Sequence, residues 1–279
     1  MAAGRSNHLG AYGLRLTGIA EAAPLLVPAP PEWTPLRVVR GVGNADSELE
    51  RVDSRRARLR MRNGGLIELE RNPACARFLS PAPPRAAEIV HPYLASVAAV
   101  MTFWQGRESF HAGGFVSENG VWALLGGRGA GKSSMLAGLA SRGAGIACDD
   151  LLVLNGGTVL AGPRTLDLRA EAAEQLGVGV QTGTIGARER WRVGIPPIES
   201  ELPLRGLVFL AWGEEMGVTT LSPSERLERL LHHRGVRLPS PDPSALLELA
   251  RLPGFELRRP RHWESLSEAT DLLLAAIGR

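Results

Sequence analysis

Lysine is almost absent from this chain of 279 residues. Lysine and arginine together number 32, and Lys132 is the single lysine among them. Arginine carries a rigid planar fork, whereas lysine carries a compact ammonium on a flexible stem, so the two are not interchangeable. A chain that uses arginine everywhere else indicates a special requirement for an ammonium at position 132.

Cysteine is also scarce, and two classes of protein are thereby excluded. Cys75 and Cys148 are the only cysteines, which leaves no disulfide framework and no cysteine-based zinc spacing. The N-terminus lacks the charged-then-apolar pattern of a signal peptide, and no apolar run has the length of a membrane span. These absences predict a cytoplasmic protein that does not act at a membrane.

Net charge is low as well. The basic residues are nearly balanced by 29 acidic residues, which leaves a formal charge of +3. A dense basic surface is therefore not expected, and nucleic acid is not predicted as the main partner. The hydrophobic content of 44% and the charged content of 22% are typical of a globular protein with a substantial core.

The most informative stretch surrounds the single lysine. An apolar run that ends at Leu125 is followed by a segment that fits G-x-x-x-x-G-K-[ST] and then by a helical pattern. The segment and the residue after it are Gly126, Gly127, Arg128, Gly129, Ala130, Gly131, Lys132, Ser133 and Ser134.

This spacing predicts a phosphate-binding loop. Glycines let the backbone N–H groups approach a phosphate closely at the N-terminus of a helix. Lys132 would then reach the β- and γ-phosphates of a nucleotide, and the Ser133 hydroxyl would reach Mg²⁺. The alternative is a glycine-rich turn between strand and helix that binds nothing.

A pair of carboxylates is the second signal. Asp149 and Asp150 follow a predicted strand over residues 145–148, one helix after the loop. They should therefore lie at the same edge of the sheet as the loop. One carboxylate there can hold Mg²⁺ together with Ser133, and the other can accept a proton from an attacking hydroxyl. The alternative is a simple turn built from two aspartates.

Histidines give weaker signals. His111 lies beside an apolar strand, where a lone histidine is more often structural than catalytic. His8, His91 and His262 have no partner that the sequence identifies.

The first 90 residues are predicted to form a small, mostly β module. Residues 58–62 and 66–70 are expected to form a hairpin whose arginines pair with Glu68 and Glu70 across the strands. The alternative for this arginine cluster is a nucleic-acid contact. A proline-rich segment at residues 80–84 marks the boundary with a second domain over residues 91–279. That domain should begin with a helix over residues 91–106 and include a mobile glycine-rich loop over residues 177–187.

Taken together, these residues resemble a known family. His111-Ala112, the loop at residues 126–134, Ser141-Arg142-Gly143 and the run from Ala147 to Leu154 look like the catalytic core of the HPr kinase/phosphorylase family. The resemblance is greatest to the HPr-kinase-related kinases of ribosomal-peptide biosynthesis systems. It covers residues 107–165 well and is weak before residue 90.

The resemblance implies an α/β fold with a P-loop kinase core of the HPr kinase and phosphoenolpyruvate carboxykinase type. It implies that Asp149 is the general base, that Asp150 supports Mg²⁺ and that His111 lies near the transferred phosphate. Arg190 or Arg192 would match a basic residue of the family that contacts phosphate. Arg128 stands where the family usually has serine, and an arginine there can stabilise charge on the transferring phosphate.

The combined prediction is a kinase that uses ATP and Mg²⁺. Its acceptor is expected to be a serine hydroxyl on a peptide or small protein, and HPr itself is not expected because no signature for recognising it is found. A homo-oligomer is possible. The rivals are a nucleotide-binding or ATP-hydrolysing regulatory module that passes no phosphate on, and a small-molecule kinase.

Overall fold

The computed structural model describes residues 8–43, 50–62, 64–118, 120–185 and 188–278. It shows a mixed α/β protein with several β-sheets. Asn63, between the two predicted hairpin strands, and the last two positions of the predicted loop at residues 177–187 lie outside the described residues.

The described part of the first 90 residues is mostly β-structure. Within the described residues its strands are β1 (Leu9–Ala11), β2 (Leu14–Thr17), β3 (Val27–Pro28), β4 (Thr34–Val42), β5 (Arg51–Val52), β6 (Arg56–Arg60), β7 (Leu66–Arg71) and β8 (Ala74–Ser80). They form one sheet in the order β3-β1-β2-β4-β8-β7-β6-β5. A short 3-10 helix, Ala20–Leu25, lies between β2 and β3.

The predicted arginine-rich hairpin is present as β6 and β7. Arg58 lies opposite Glu68 in the antiparallel register, and their side chains form an ion pair at 3.2 Å. Glu70 instead pairs with Arg77 of the next strand, also at 3.2 Å. The charge pairing across the hairpin is thus observed for Arg58, and it extends over three strands rather than two.

The helix expected over residues 91–106 begins earlier and is interrupted. Helix α1 (Ala86–Glu88) leads into a π-helical turn, Ile89–Tyr93, and then into α2 (Leu94–Trp104). His91 has extended backbone angles, φ −146° and ψ 126°, because Pro92 disfavours the helical region for the residue before it. The span Ala86–Trp104 is long and apolar enough to cross a membrane, but it is mostly buried inside the protein and is weak evidence for doing so.

A second sheet carries the elements around the single lysine. Its strands are β9 (Ser109–Phe110), β10 (Ala112–Ser117), β11 (Gly120–Leu125), β12 (Gly145–Cys148), β13 (Leu152–Asn155) and β14 (Thr158–Leu160), joined by β18 (Glu201–Trp212), β19 (Gly217–Thr220) and β20 (Gly254–Arg259). Helix α3 (Lys132–Ser141) connects β11 to β12. Strand β10 is antiparallel to both, so β11 and β12 run in the same direction and end at one edge of the sheet.

A small third sheet corrects one expectation. Strands β15 (Thr165–Leu168), β16 (Val180–Ile185) and β17 (Arg188–Gly194) form it in the order β15-β17-β16, and α4 (Ala170–Leu176) connects β15 to β16. The prediction of a loop over residues 177–187 is therefore wrong for Val180–Ile185. Glycines obscure the strand pattern there, and the register with β17 shifts between Gln181 and Gly183.

Three helices complete the chain: α5 (Pro223–His232), α6 (Pro243–Arg251) and α7 (Ser265–Ala276). A capping box of Ser222 and Glu225 begins α5. Ser265 is the first residue of α7, and its hydroxyl donates to the carbonyl oxygens of Pro260 and His262.

One hydrophobic core runs from the first sheet to the second. Phe78 of β8, Leu94 of α2 and Phe209 of β18 all belong to it. Phe78 and Phe209 are among the largest fully buried side chains in the described part of the chain. A division into domains at residue 90 remains a prediction, and the residues on its two sides share a core.

Candidate functional site

The glycine-rich loop, residues 126–131, joins the end of β11 to the start of α3. Gly129 and Gly131 have φ of +87° and +85°, a region that residues with a Cβ rarely adopt. A Cβ on Gly131 would also lie 2.6 Å from Nη2 of Arg259. Positive φ and close approach together explain the glycine at this position, and the loop opens the N-terminus of α3 into a cleft.

Lys132 is folded against this loop. Its Nζ donates to the carbonyl oxygen of Gly126 at 2.7 Å and lies 3.1 Å from Nε2 of His111. Only 8% of the residue is exposed, and burial lowers the pKa of its ammonium. The structure thus holds a partly desolvated positive charge at the mouth of the loop.

His111 connects Lys132 to the aspartate pair. Its Nδ1 lies 2.9 Å from the carbonyl oxygen of Asp150, which can only accept, so Nδ1 carries the proton. Nε2 is then free to accept from the Lys132 ammonium. Burial, and next the charge of Lys132, lower the pKa of His111, in agreement with a neutral ring. His111 is therefore a link within the site rather than an isolated core histidine.

Asp149 is buried beside Ser133. Its Oδ1 accepts from the Ser133 hydroxyl at 3.1 Å and from the backbone N–H of Asp150 at 2.9 Å. Its Oδ2 is buried and has no hydrogen-bond partner among the described residues. Burial, with the nearby charge of Asp150, raises the pKa of Asp149. Tyr12 of the first sheet holds this turn by donating its hydroxyl to the Asp149 carbonyl at 2.9 Å.

Asp150 faces the cleft. It has a φ of +66°, which turns its side chain away from that of Asp149, and the side chain is 37% exposed. Burial alone would raise its pKa, but the neighbouring His91, His111, Arg190 and Lys132 lower it. The two aspartates therefore occupy different environments, as their adjacent positions predict.

The two arginines that the family resemblance offered as alternatives lie behind Asp150, together with His91 and Asp167, which the sequence did not assign. Arg192 forms an ion pair with the buried Asp167 at 3.1 Å. Arg190 donates from Nη1 to Nε2 of His91 at 3.0 Å, while its buried Nε has no partner among the described residues. Of these two arginines only Arg190 lines the cleft. Their alternation in β17 places both on one face of the strand, a signal that could have identified them together.

The cleft has a volume of about 880 Å³. Residues that line it from the loop and α3 are Arg128, Gly129, Gly131, Lys132, Ser133 and Ser134. Of the other predicted site residues, His111 and Asp150 also line it, and the buried Asp149 lies directly behind Ser133. The sequence-predicted residues thus converge on one place.

The opposite end of the cleft is formed by tryptophan and arginine. Trp212 donates from Nε1 to the carbonyl oxygen of Gly129 at 3.3 Å, and the Arg259 guanidinium lies 4.2 Å from the centre of a Trp212 ring. Burial lowers the pKa of Arg259 to about 10. Its Nη1 donates to Ser265, and its Nε has no partner in the described part of the chain. A buried cation therefore packs against the loop from this side.

A metal ion would have few protein ligands here. Across the described ranges no group of three or more His, Cys, Asp or Glu side chains is placed to hold a metal. The orphaned Oδ2 of Asp149 and the adjacent Ser133 hydroxyl nevertheless fit Mg²⁺, which usually takes one or two protein oxygens and completes its shell with water and phosphate.

Comparisons with known proteins give a distant likeness. No protein-family model matches the chain, and no curated protein matches it. Among solved structures, the chain is similar to the HPr(Ser) kinase/phosphatase from Coxiella burnetii at 14% sequence identity and a TM-score of 0.31, over 61% of this chain and 96% of that one. At that score the likeness carries no argument about the fold or the site; the sheets themselves show a mixed α/β protein.

Proposed function

We propose that this protein is an ATP-dependent phosphotransferase that moves the γ-phosphoryl group to a hydroxyl, namely that of a serine in a peptide or small protein. The observation that carries the proposal is the convergence of three groups on one cleft. These are the Lys132 ammonium at the start of α3, the Ser133–Asp149 pair with its orphaned carboxylate oxygen, and the exposed carboxylate of Asp150.

Binding of the nucleotide is assigned to residues 126–134. The loop and the N-terminus of α3 would receive the β-phosphate, and Lys132 would exchange its contact with the Gly126 carbonyl for the phosphate oxygens. Arg128 is exposed, lines the same cleft and can add positive charge beside the γ-phosphate. His111 would orient Lys132 through its Nε2.

The contacts favour roles for Asp149 and Asp150 that are the reverse of those implied by the family resemblance. Ser133 contacts Asp149 rather than Asp150, so Ser133 and Asp149 are the residues proposed to hold Mg²⁺. When bound there, Mg²⁺ neutralises charge on the phosphates. Asp150, which faces the cleft, is proposed to accept the proton of the attacking hydroxyl.

Transfer of labelled phosphate tests the proposal. The protein is incubated with Mg²⁺ and ATP labelled at the γ-phosphate, with and without peptides encoded beside its gene, and products are identified by mass spectrometry. Slow hydrolysis alone and phosphoserine on a peptide are expected. Rapid acceptor-independent hydrolysis without label on any acceptor would favour the regulatory ATPase, and label on a small molecule would favour a small-molecule kinase.

A further inference from the structure

Arg62 lies in the cleft although it belongs to the N-terminal sheet. It follows β6, in the hairpin whose arginines are predicted to form a solvated, charge-paired face. Arg58 meets that expectation through its ion pair with Glu68. Arg62 instead lines the same cleft as Lys132 and His111. Arg62 therefore adds a side chain from the N-terminal region to a cleft whose other lining residues all follow it beyond residue 107.

The surroundings of Arg62 are positively charged. Among the described residues it forms no hydrogen bond and no ion pair, and Arg128 likewise has neither. Burial, followed by repulsion from Arg190 and Arg128, lowers the pKa of Arg62, while Asp150 opposes that change. Arg190 is nine-tenths buried, and its Nε has no partner in the described ranges. Three guanidinium groups therefore gather near one carboxylate, Asp150.

Such a cluster is unfavourable until an anion enters it. Like charges in a partly desolvated cleft repel one another, and the repulsion is relieved by a group with several negative oxygens. Lys132, at the start of α3, is placed for the β- and γ-phosphates, whereas the arginines lie around Asp150, the proposed base. The region between them is where the phosphoryl group would pass from ATP to the acceptor.

We propose that Arg62 is a catalytic arginine, supplied by the N-terminal sheet, that stabilises the charge on the phosphoryl group during transfer. This inference rests on the proposed function. In that step the bond between the γ-phosphorus and the bridging oxygen breaks, and its electron pair leaves with ADP. A bond forms between the γ-phosphorus and the acceptor oxygen, whose proton passes to Asp150. With water as the acceptor, the products are ADP and inorganic phosphate.

An arginine that acts in this way raises the rate without tightening nucleotide binding. Arginines that serve other phosphoryl-transfer enzymes in cis or in trans contribute on the order of 10³ to 10⁵ in kcat. Arg62 shares its task with Arg128 and Arg190, so we expect a smaller effect, about a hundredfold, on its removal. Lysine should not replace it well, because an ammonium lacks the planar fork that contacts two oxygens.

The test compares Arg62→Gln, Arg62→Lys and the control Arg56→Gln, which alters an exposed arginine of the same hairpin. Three quantities are measured: acceptor-independent ATP turnover with Mg²⁺, ADP affinity, and the gain in affinity when aluminium fluoride is added to ADP as a mimic of the transferring group. Thermal unfolding confirms that each variant is folded.

Both Arg62 variants are expected to lose about a hundredfold in kcat and most of the aluminium fluoride gain, while ADP affinity stays within about threefold of the wild type. Arg56→Gln should match the wild type in all three. Unchanged turnover with an unchanged aluminium fluoride gain would overturn the inference, as would a loss of ADP affinity as large as the loss of rate. If the wild type bound no ADP, the proposed function would itself fail.

Discussion

Replacing the buried carboxylate of Asp149 should have two opposite effects. It should stabilise the unliganded protein, and it should reduce the further stabilisation that ADP and Mg²⁺ provide. Asp149→Asn keeps the shape of the side chain and an oxygen for the hydrogen bonds from Ser133 and Asp150, but it removes the charge. The wild-type carboxylate is 3% exposed, and its Oδ2 has no partner in the described structure. The amide NH₂ that replaces Oδ2 would also lack a partner, so the difference comes from the charge: burying an ionised carboxylate costs more than burying a neutral polar group. The variant should therefore unfold at a higher temperature than the wild type when no ligand is present.

The gain in unfolding temperature of Asp149→Asn should be larger at higher pH. The pKa of Asp149 is raised in the folded chain, so the folded state favours the protonated carboxyl. The penalty is consequently full above the raised pKa, declines as the pH falls below it, and is gone only below the ordinary pKa of an aspartate. We expect a gain of about 2 to 4 °C in Tm for each kcal/mol at pH 8, and a smaller gain at pH 6.

The stabilisation of the protein by ADP and Mg²⁺ should be smaller in Asp149→Asn than in the wild type, although the unliganded variant is more stable. For the wild type, ADP at a hundred times its Kd adds about 2.7 kcal/mol of stability, and part of this should require Mg²⁺. In Asp149→Asn the part that requires Mg²⁺ should be lost, because the proposed metal ligand is gone.

Thermal unfolding with and without ADP and Mg²⁺, at both pH values, measures all of these quantities. Asp271→Asn is the control, since it removes an exposed carboxylate paired with Arg142 and should leave Tm close to that of the wild type. A lower Tm for unliganded Asp149→Asn at pH 8, or an intact contribution of Mg²⁺, would refute the reasoning.

Three further changes test neighbouring contacts. Asp150→Asn should lower phosphate transfer by about two to four orders of magnitude while ADP affinity, measured by calorimetry, stays near the wild-type value; equal and mild losses in both aspartate variants would indicate a simple turn. Tyr12→Phe removes the hydroxyl that holds the Asp149 carbonyl, and chemical denaturation should show a loss of about 0.5 to 1.5 kcal/mol, whereas no loss would mean that this contact is unimportant. Gly131→Ala places a Cβ at positive φ against Arg259 and should weaken ADP binding at least tenfold in the same calorimetric assay; normal binding would show that the loop can adapt.

The elements nearest the single lysine could be predicted from sequence because their signals are local. An apolar strand, a glycine-rich turn, a helix and a second strand follow one another between Gly120 and Cys148, and the structure has them in that order. The direct contacts of Lys132 and Ser133 with His111 and Asp149 follow from that order and from the way the strands end at one edge.

The remaining site residues come from parts of the chain that are distant in sequence. Tyr12 lies 137 residues before Asp149, and Arg190 lies 99 residues after the buried His91 that it contacts. Arg62 follows a strand in which Arg58 is paired with Glu68, so its position in the cleft has no local signal. These contacts depend on how the sheets pack, which periodicity and motif spacing do not specify.

Titration of the protein with ADP and Mg²⁺ tests the central claim most directly. Lys132→Met removes the only lysine side-chain charge in the chain and keeps an unbranched stem. Arg205→Gln, which alters an exposed arginine near the start of β18 that does not line the cleft, serves as a control. The account predicts one site per wild-type chain, retained in the control, and a loss of about ten- to a hundredfold in affinity for Lys132→Met, as expected for a hydrogen-bonded charge. Equal affinity in Lys132→Met and the wild type, or no binding by the wild type, would contradict it.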